Sequence, residues 1–372
     1  MKHLFHLGRD AELSILEVVS YLKRTDREYE LLKITKKCIQ AEIKKFDPKK
    51  AISALGGTIK ISTEVENSEE FILRVLSNFT KSKVIYALNE FESSDETKEE
   101  LVKTIKQFAK EQKLKLLQKH ITEKEIPPSK SKNLDMELTL FKNKLYRVSA
   151  VSDPKGYKAR DEERPNFDPL RVTSIRLAKI LINLAQPTNK SKLLIPYTGL
   201  GTISQEAYLM GIESIGIEEN PMLFKRGKQN LSWLKDNFKS HAKISMKQLN
   251  LHRISKELSN IDCIATEPDL GPYIRKLPTE SEARELAKSL SRSYDMLLQQ
   301  ASKLLKRGSK MSIIVPNFKT RDSKIIRIGF QSMLRKHGFE IYQPLENTMI
   351  PIDYKLKNSK IKRKIYVLEK LK

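Results

Sequence analysis

The chain has 372 residues, 39% hydrophobic and 7% aromatic, a globular composition long enough for two or three domains and at least one sizeable core. No stretch approaches the about 20 apolar residues of a membrane span, and the opening Met1-Lys-His-Leu-Phe-His is too short and polar for a signal peptide, so a soluble, cytoplasmic protein with no membrane contact is expected. Lysine and arginine total 70 against 46 acidic residues, a net +24 that favours a polyanionic partner; the competing explanation is a lysine-rich background.

Leu4 to Gly8 reads as a strand, and Ser14-Ile-Leu-Glu17 as a capping box opening a helix over Ile15 to Leu22. Tyr29 to Ile34 and Cys38 to Ile43 follow as alternating strands, and Ala54 to Ser62 turns into another. From Asn67 a second unit begins. Phe71 to Phe79 is helical, Val84 to Leu88 a strand, and Asp95 caps a helix whose Leu101, Ile105 and Phe108 share one face. Asp135 to Phe141 and Lys144 to Val151 form a hairpin through Lys142 and Asn143. Lysines recur from Lys103 to Lys132 and from Lys355 to Lys364; such runs are ordinarily solvated faces, but two of them suit a surface that tracks phosphates. Between Asp153 and Pro169 the apolar periodicity stops and the chain reads as a charged, proline-punctuated linker.

Beyond it, helices and strands alternate. A helix runs from Thr173 to Leu184; strands occupy Leu193 to Pro196, Ser214 to Ile217, Ile244 to Leu249, Cys263 to Thr266 and Met311 to Val315; helices fall at Ile203 to Met210, Met222 to Trp233, Thr279 to Leu305 and Ile325 to His337. That alternation implies a mostly parallel sheet with right-handed crossovers, closed by Gly338 to Tyr342 and Lys364 to Leu368 as an antiparallel pair. Its most informative stretch is Pro196-Tyr-Thr-Gly-Leu-Gly-Thr-Ile-Ser, a strand ending in a turn at Gly199 and Gly201 that opens a helix with unpaired N–H groups. About twenty residues on, a second strand ends in Glu218, where a doubly wound nucleotide fold carries its ribose-binding acid. Together these point to a nucleoside-containing cofactor. Cys38 and Cys263 have no ligand-spaced partner and the six histidines are scattered, so neither a disulfide framework nor a metal site is expected.

With both halves laid out, the chain resembles the THUMP-domain tRNA guanosine N2-methyltransferases, the position-10 enzymes above all, over nearly its whole length. Leu4-Phe-His-Leu-Gly-Arg-Asp-Ala-Glu-Leu-Ser14 and Leu55-Gly-Gly-Thr-Ile-Lys-Ile61 are similar to the family's opening elements. Tyr157-Lys-Ala-Arg-Asp-Glu-Glu-Arg-Pro165 is similar to its Arg-Asp-x-x-Arg-Pro linker. Pro196 to Ala207 resembles the first cofactor motif, Gly216-Ile-Glu-Glu-Asn-Pro221 the second and Thr266-Glu-Pro-Asp-Leu-Gly-Pro272 the fourth.

The resemblance implies an α/β architecture: a Rossmann-like class I methyltransferase domain at 170–372, preceded by an α+β ferredoxin-like domain at 1–67, a THUMP-like RNA-binding domain at 68–150 and a linker at 151–169. It implies transfer of a methyl group from S-adenosylmethionine to the exocyclic N2 of a guanosine in tRNA. Pro196, Thr198, Gly199, Gly201, Glu218 and Asn250 would bind the cofactor, with Glu218 on the ribose and Asn250 at the adenine edge. Glu267, Pro268 and Asp269 would form the catalytic turn, Glu267 meeting the guanine amine, and Arg160 and Arg164 would touch RNA. tRNA is the expected partner, with room for a small activating subunit.

Three positions depart from the family pattern. Ile195 stands where an acid usually precedes the first-motif proline, Asn250 where the third motif carries an acid, and Leu270 where an aromatic ring stacks on the target base. The lost acid is worth about 1 to 3 kcal/mol of attraction to the cofactor's ammonium if partly buried, and the lost ring about 1 to 3 kcal/mol of stacking, with Tyr273 near enough in sequence to serve as a displaced ring. The alternative is therefore a catalytically decayed tRNA-binding homologue acting as a chaperone or partner subunit. A dehydrogenase is disfavoured because the glycine turn lacks a third glycine.

Overall fold

The structure, a computed structural model, describes residues 1–119, 125–169, 172–346, 348–356 and 359–371, so the basic runs at 103–132 and 355–364 each pass partly outside the described residues. The chain divides into one unit made of residues 1–11, 27–54 and 58–158 and another made of 12–26, 55–57 and 159–372.

In chain order the N-terminal elements are β1 (Lys2–Leu7), α1 (Ala11–Arg24), β2 (Tyr29–Ile34), β3 (Cys38–Ile43), α2 (Pro48–Ala54), β4 (Thr58–Glu64), α3 (Ser68–Ser77), β5 (Lys83–Phe91), α4 (Asp95–Glu111), β6 (Lys115–Gln118), α5 (Pro128–Ser131), β7 (Met136–Phe141), β8 (Lys144–Val151) and α6 (Pro154–Glu163). The first unit is built on one eight-stranded sheet of order β2-β3-β1-β4-β8-β7-β5-β6. Residues 1–67 and 68–150 thus share a single sheet, joined where β4 pairs antiparallel with β8. The β7–β8 hairpin turns through Lys142 and Asn143, both left-handed at φ 47° and 59°, the backbone that matches a two-residue turn to strand twist. Helix α4 is capped by Ser94, one residue before the expected Asp95. A polar cluster is buried on the sheet: Lys60 pairs with Glu137 and donates to the Ile126 carbonyl, while His6 bonds Glu125 at 2.6 Å and Ser62 at 2.7 Å. Every member has a partner, the condition under which buried ions are tolerated.

The remaining elements are α7 (Ile175–Leu184), β9 (Lys192–Pro196), α8 (Thr202–Leu209), β10 (Glu213–Glu218), α9 (Pro221–Asn237), β11 (Ile244–Gln248), α10 (Ile254–Glu257), β12 (Cys263–Thr266), α11 (Glu280–Leu304), β13 (Lys310–Lys319), β14 (Ile325–Arg327), α12 (Phe330–Lys336), β15 (Phe339–Ile341), β16 (Ile352–Tyr354) and β17 (Ile361–Lys370). Their sheet runs β11-β10-β9-β12-β13-β17-β15, with β9 to β13 parallel and β17 antiparallel between β13 and β15. With the short side strands β14 and β16 left out of the count, this is 3-2-1-4-5-7-6, the Rossmann-like class I methyltransferase arrangement the resemblance implied. One apolar cluster packs α11 and α12 on one face, around Ile264, Tyr294 and Phe330; another packs α7 on the other, around Leu181, Ile195 and Val367.

Three sequence expectations are corrected. Ser14 and Glu17 do not cap a helix: α1 starts at Ala11 and both side chains turn inward, Ser14 donating to the Gly57 carbonyl at 3.1 Å and Glu17 accepting from the N–H groups of Gly56 and Gly57, both at 2.7 Å. This tie puts α1 in the second unit despite its place in the sequence. The segment read as linker contains helix α6. The helix expected over Ile325 to His337 starts only at Phe330, because Ile325 to Arg327 pairs with β13 and Gly329 breaks the run at φ 69°.

Candidate active site

Strand β9 ends at Pro196, and the backbone then turns through left-handed Tyr197 (φ 54°), Gly199 (φ 55°) and Gly201 (φ 87°) before entering α8. Only glycine adopts such conformations without strain. A Cβ added at Gly199 would meet no atom within 4 Å, so the turn faces open space, whereas Gly227 of α9 packs so close that a Cβ there would lie 2.7 Å from the Gly199 carbonyl oxygen. Asn230, fully buried on the same helix, donates to the Leu200 carbonyl at 3.0 Å. The turn is thus fixed from below and open above.

Glu218, 8% exposed at the end of β10, accepts from the Gly199 N–H at 3.0 Å and the Asn220 N–H at 2.9 Å, one bond on each oxygen. A carboxylate oxygen can accept a second bond, so both remain able to receive a diol. Thr198 lies beneath the turn with its hydroxyl 3.0 Å from that of Ser204. Asn250 caps the turn after β11, accepting from the His252 N–H at 2.9 Å and donating to Glu219, so its amide is engaged by neighbours on both sides.

The loop after β12 brings the second half. Thr266 donates to the Pro196 carbonyl at 2.7 Å, tying it to the end of β9. β9 and β12 flank the point where strand order reverses, the crevice in which doubly wound sheets bind ligands. Glu267 is 16% exposed; its Oε2 accepts from the Thr173 hydroxyl at 2.6 Å and its Oε1 lies 3.7 Å from Nε of Arg363 on β17. Burial pushes the Glu267 carboxyl up from its ordinary value, opposed by the Thr173 bond and the Arg363 charge. Pro268 is buried, and exposed Asp269 holds the loop by accepting from the Gly271 N–H at 2.9 Å. Leu270 and Ile195 are both buried in the apolar cluster that also holds Ala265 and Ile350. Tyr273 is 67% exposed. Tyr197 is the partly buried ring between the halves; its phenol is pushed up to about 12 by burial, with Asp269 and Glu219 adding to it.

Arg160 and Arg164, the residues expected at RNA, both have partners within the protein. Nη2 of Arg160 donates to both carboxylate oxygens of Glu206 at 2.9 and 3.1 Å, and Arg164, its side chain 1% exposed, donates to Thr202 at 3.0 Å and pairs with Asp161 at 3.0 Å. They fasten α6 to α8. Sequence reasoning missed Thr173, Tyr197, Gly227, Asn230 and Arg363; the helical spacing of Gly227 and Asn230, one turn apart, was the one available signal.

Two cavities of about 470 Å³ each lie elsewhere, on the first unit. One is lined by Lys98, Lys103 and Lys106 together with Asp95 and Glu99, and the other by Lys81, Lys83 and Lys132 together with Asp135. No group of three or more histidine, cysteine, aspartate or glutamate residues able to hold a metal, and no helix long and apolar enough to cross a membrane, occurs among the described residues.

No family profile matches the chain. It is 25% identical over 179 residues to the tRNA (guanine(10)-N2)-dimethyltransferase of Methanothermobacter thermautotrophicus, and spans about half the length of this curated relative, 48% of each chain being covered. Among solved structures it is similar to TrmN from Thermus thermophilus, 14% identical with both chains fully covered and a TM-score of 0.46. An RNA methyltransferase from Salinibacter ruber is 14% identical with a TM-score of 0.32, covering 54% of this chain and 94% of that one. The fold assignment rests on the chain's own strand order.

Proposed function

We propose that the protein is a tRNA (guanine-N2-)-methyltransferase that uses S-adenosylmethionine. The observation that carries this reading is the meeting, at the reversal point of a methyltransferase-ordered sheet, of a glycine turn open to a ligand, the Glu218 carboxylate and the Glu267 loop. When bound, the cofactor would supply an electrophilic methyl group carried on a sulfonium. Glu218 accepts the ribose hydroxyls, and Pro196, Thr198, Gly199 and Gly201 line the approach beneath them. Asn250 offers the adenine edge whatever capacity Glu219 and His252 leave it. Glu267 accepts a hydrogen bond from the guanine amine, orients its nitrogen and takes the proton that the nitrogen sheds. Pro268 stiffens the loop and Asp269 is the second acceptor within its reach.

The name of the partly matching relative supports tRNA as the substrate, as does the net charge of +24. Lys83, Lys103 and Lys106, which line the two cavities of the first unit, are the proposed phosphate contacts, with residues 68–150 as the core of the RNA-binding region. A tRNA enzyme of this kind belongs in the cytoplasm. The burial of Ile195 and Leu270 favours a second reading, a tRNA-binding homologue that has lost catalysis. Transfer of labelled methyl from S-adenosylmethionine to undermodified tRNA decides between them. Incorporation at guanine N2 supports the enzyme; tRNA binding with no incorporation supports the homologue.

A further inference from the structure

Glu267 is met by two side chains from opposite ends of the second unit. Thr173, just before α7, donates to one carboxylate oxygen at 2.6 Å, and the guanidinium of Arg363, on β17, lies 3.7 Å from the other. Arg363 is itself held. Its Nη1 donates to the Ser359 hydroxyl at 2.9 Å, its backbone is paired on one side with Pro316 of β13 and on the other with Tyr354 of β16, and its side chain is 14% exposed. Its Nε is buried and has no hydrogen-bond partner among the described residues, and it lies nearest the Glu267 carboxylate, at ion-pair distance. A carboxyl buried to this degree favours its neutral form, and a neutral carboxyl can neither take a proton nor present two acceptors to an amine.

We propose that Thr173 and Arg363 are positioning residues that hold Glu267 in one orientation and keep it ionised for the incoming amine. The inference rests on the methyl-transfer reading for the identity of that amine, but the clamp is a property of the protein alone. The other titratable groups around the carboxylate are Tyr294 of α11, whose buried phenol is pushed well up, and Asp269 of the same loop. Neither supplies a positive charge. Arg363 is therefore the cation opposing the cost of burial, and Thr173 fixes which oxygen faces away from it.

The test titrates Glu267 in the full-length, cofactor-free protein by carbon NMR of the labelled carboxyl, in the wild type and in Arg363→Gln, Arg363→Lys and Thr173→Val. The clamp predicts that the midpoint moves to higher pH in Arg363→Gln, returns toward the wild-type position in Arg363→Lys and moves by a smaller amount in Thr173→Val. The acid limb of the pH–rate profile should follow, with kcat near pH 7 falling about 10-fold in Arg363→Gln while cofactor affinity is unchanged. A Glu267 midpoint that stays fixed in both Arg363→Gln and Thr173→Val overturns the clamp; the milder threonine variant keeps the test decisive if Arg363→Gln does not fold. Shifted midpoints in a protein that transfers no methyl group support the clamp and remove the methyl-transfer reading.

Discussion

Two largely buried glutamates, Glu218 at the end of β10 and Glu267 just after β12, are held in opposite ways. Glu218 is met by backbone N–H groups from Gly199 and Asn220, while Glu267 is met by side chains from Thr173 and Arg363. The backbone groups that hold Glu218 lie within 19 residues of it, but Thr173 lies 94 residues from Glu267 and Arg363 is on the last strand. Backbone donors are indifferent to the side chains that carry them, so the first arrangement needs only glycine spacing and strand length. The second needs particular residues at distant positions and can change one residue at a time. The departures at Ile195 and Leu270 fit this contrast, since both positions are absorbed into one apolar cluster beside the target loop while the Glu218 site is intact.

The largest expected effect tests whether the lost first-motif acid can be restored. Ile195 is fully buried among apolar side chains, and Ile195→Asp would leave a carboxylate there without a partner. Such a charge costs about 3 to 5 kcal/mol. The variant should therefore unfold at markedly lower denaturant concentration and gain no cofactor affinity. Tighter cofactor binding in a protein of unchanged stability would mean that Ile195 still faces the cofactor, and the contrast between the halves would fail.

Next come the two glutamates themselves. Glu267→Ala should lower the methyl-transfer rate at least about 100-fold and leave cofactor and tRNA affinity nearly intact, in keeping with a group that acts on the reacting amine. Glu218→Ala should do the reverse, weakening S-adenosylmethionine binding in calorimetry by about 10- to 100-fold, the equivalent of one charge-assisted bond of about 1.5 to 3 kcal/mol. If both variants lost cofactor affinity alone, Glu267 would belong to the cofactor half. A smaller effect should come from Gly227→Ala, whose new methyl must push away the Gly199 carbonyl or shift α9. It should loosen cofactor binding several-fold, since Gly199 is also one of the two donors to Glu218.

The same contrast explains what could be read from the chain. The strand–turn–helix at Pro196 to Thr202 and the acid at the end of β10 were legible because each is set by neighbours in sequence. The parallel order followed from alternating periodicity, and the antiparallel end from two short apolar runs. Arg160 and Arg164 lie in a charged, proline-flanked segment with the composition of a linker, and their partners Glu206 and Thr202 on α8 are out of reach of any local pattern. Ser14 and Glu17 match a capping box by spacing, yet their partners Gly56 and Gly57 become neighbours only after folding. Thr173 and Arg363 were missed for the same reason, as nothing near either residue marks it.

The smallest expected effect is a pH signature that only the side-chain-held glutamate should carry. Burial raises the folded-state pKa of Glu267 above its unfolded value, so between those two values the folded protein holds a proton that the unfolded chain has released. Stability then falls as pH rises through that window. The contribution of Glu267 is fully present below the ordinary glutamate pKa and is lost once pH exceeds the folded value, each unit of difference being worth about 1.4 kcal/mol. Glu267→Gln removes the titrating proton while keeping an acceptor for the Thr173 hydroxyl. Urea unfolding followed from pH 4 to pH 8 should show the variant gaining on the wild type as pH rises, with the gain levelling off at the upper end. Arg363→Gln should steepen the wild-type slope, because it removes the charge that opposes the rise. Parallel stability curves for wild type and Glu267→Gln would mean that the carboxyl titrates as it does in the unfolded chain, leaving Arg363 with no cost of burial to oppose.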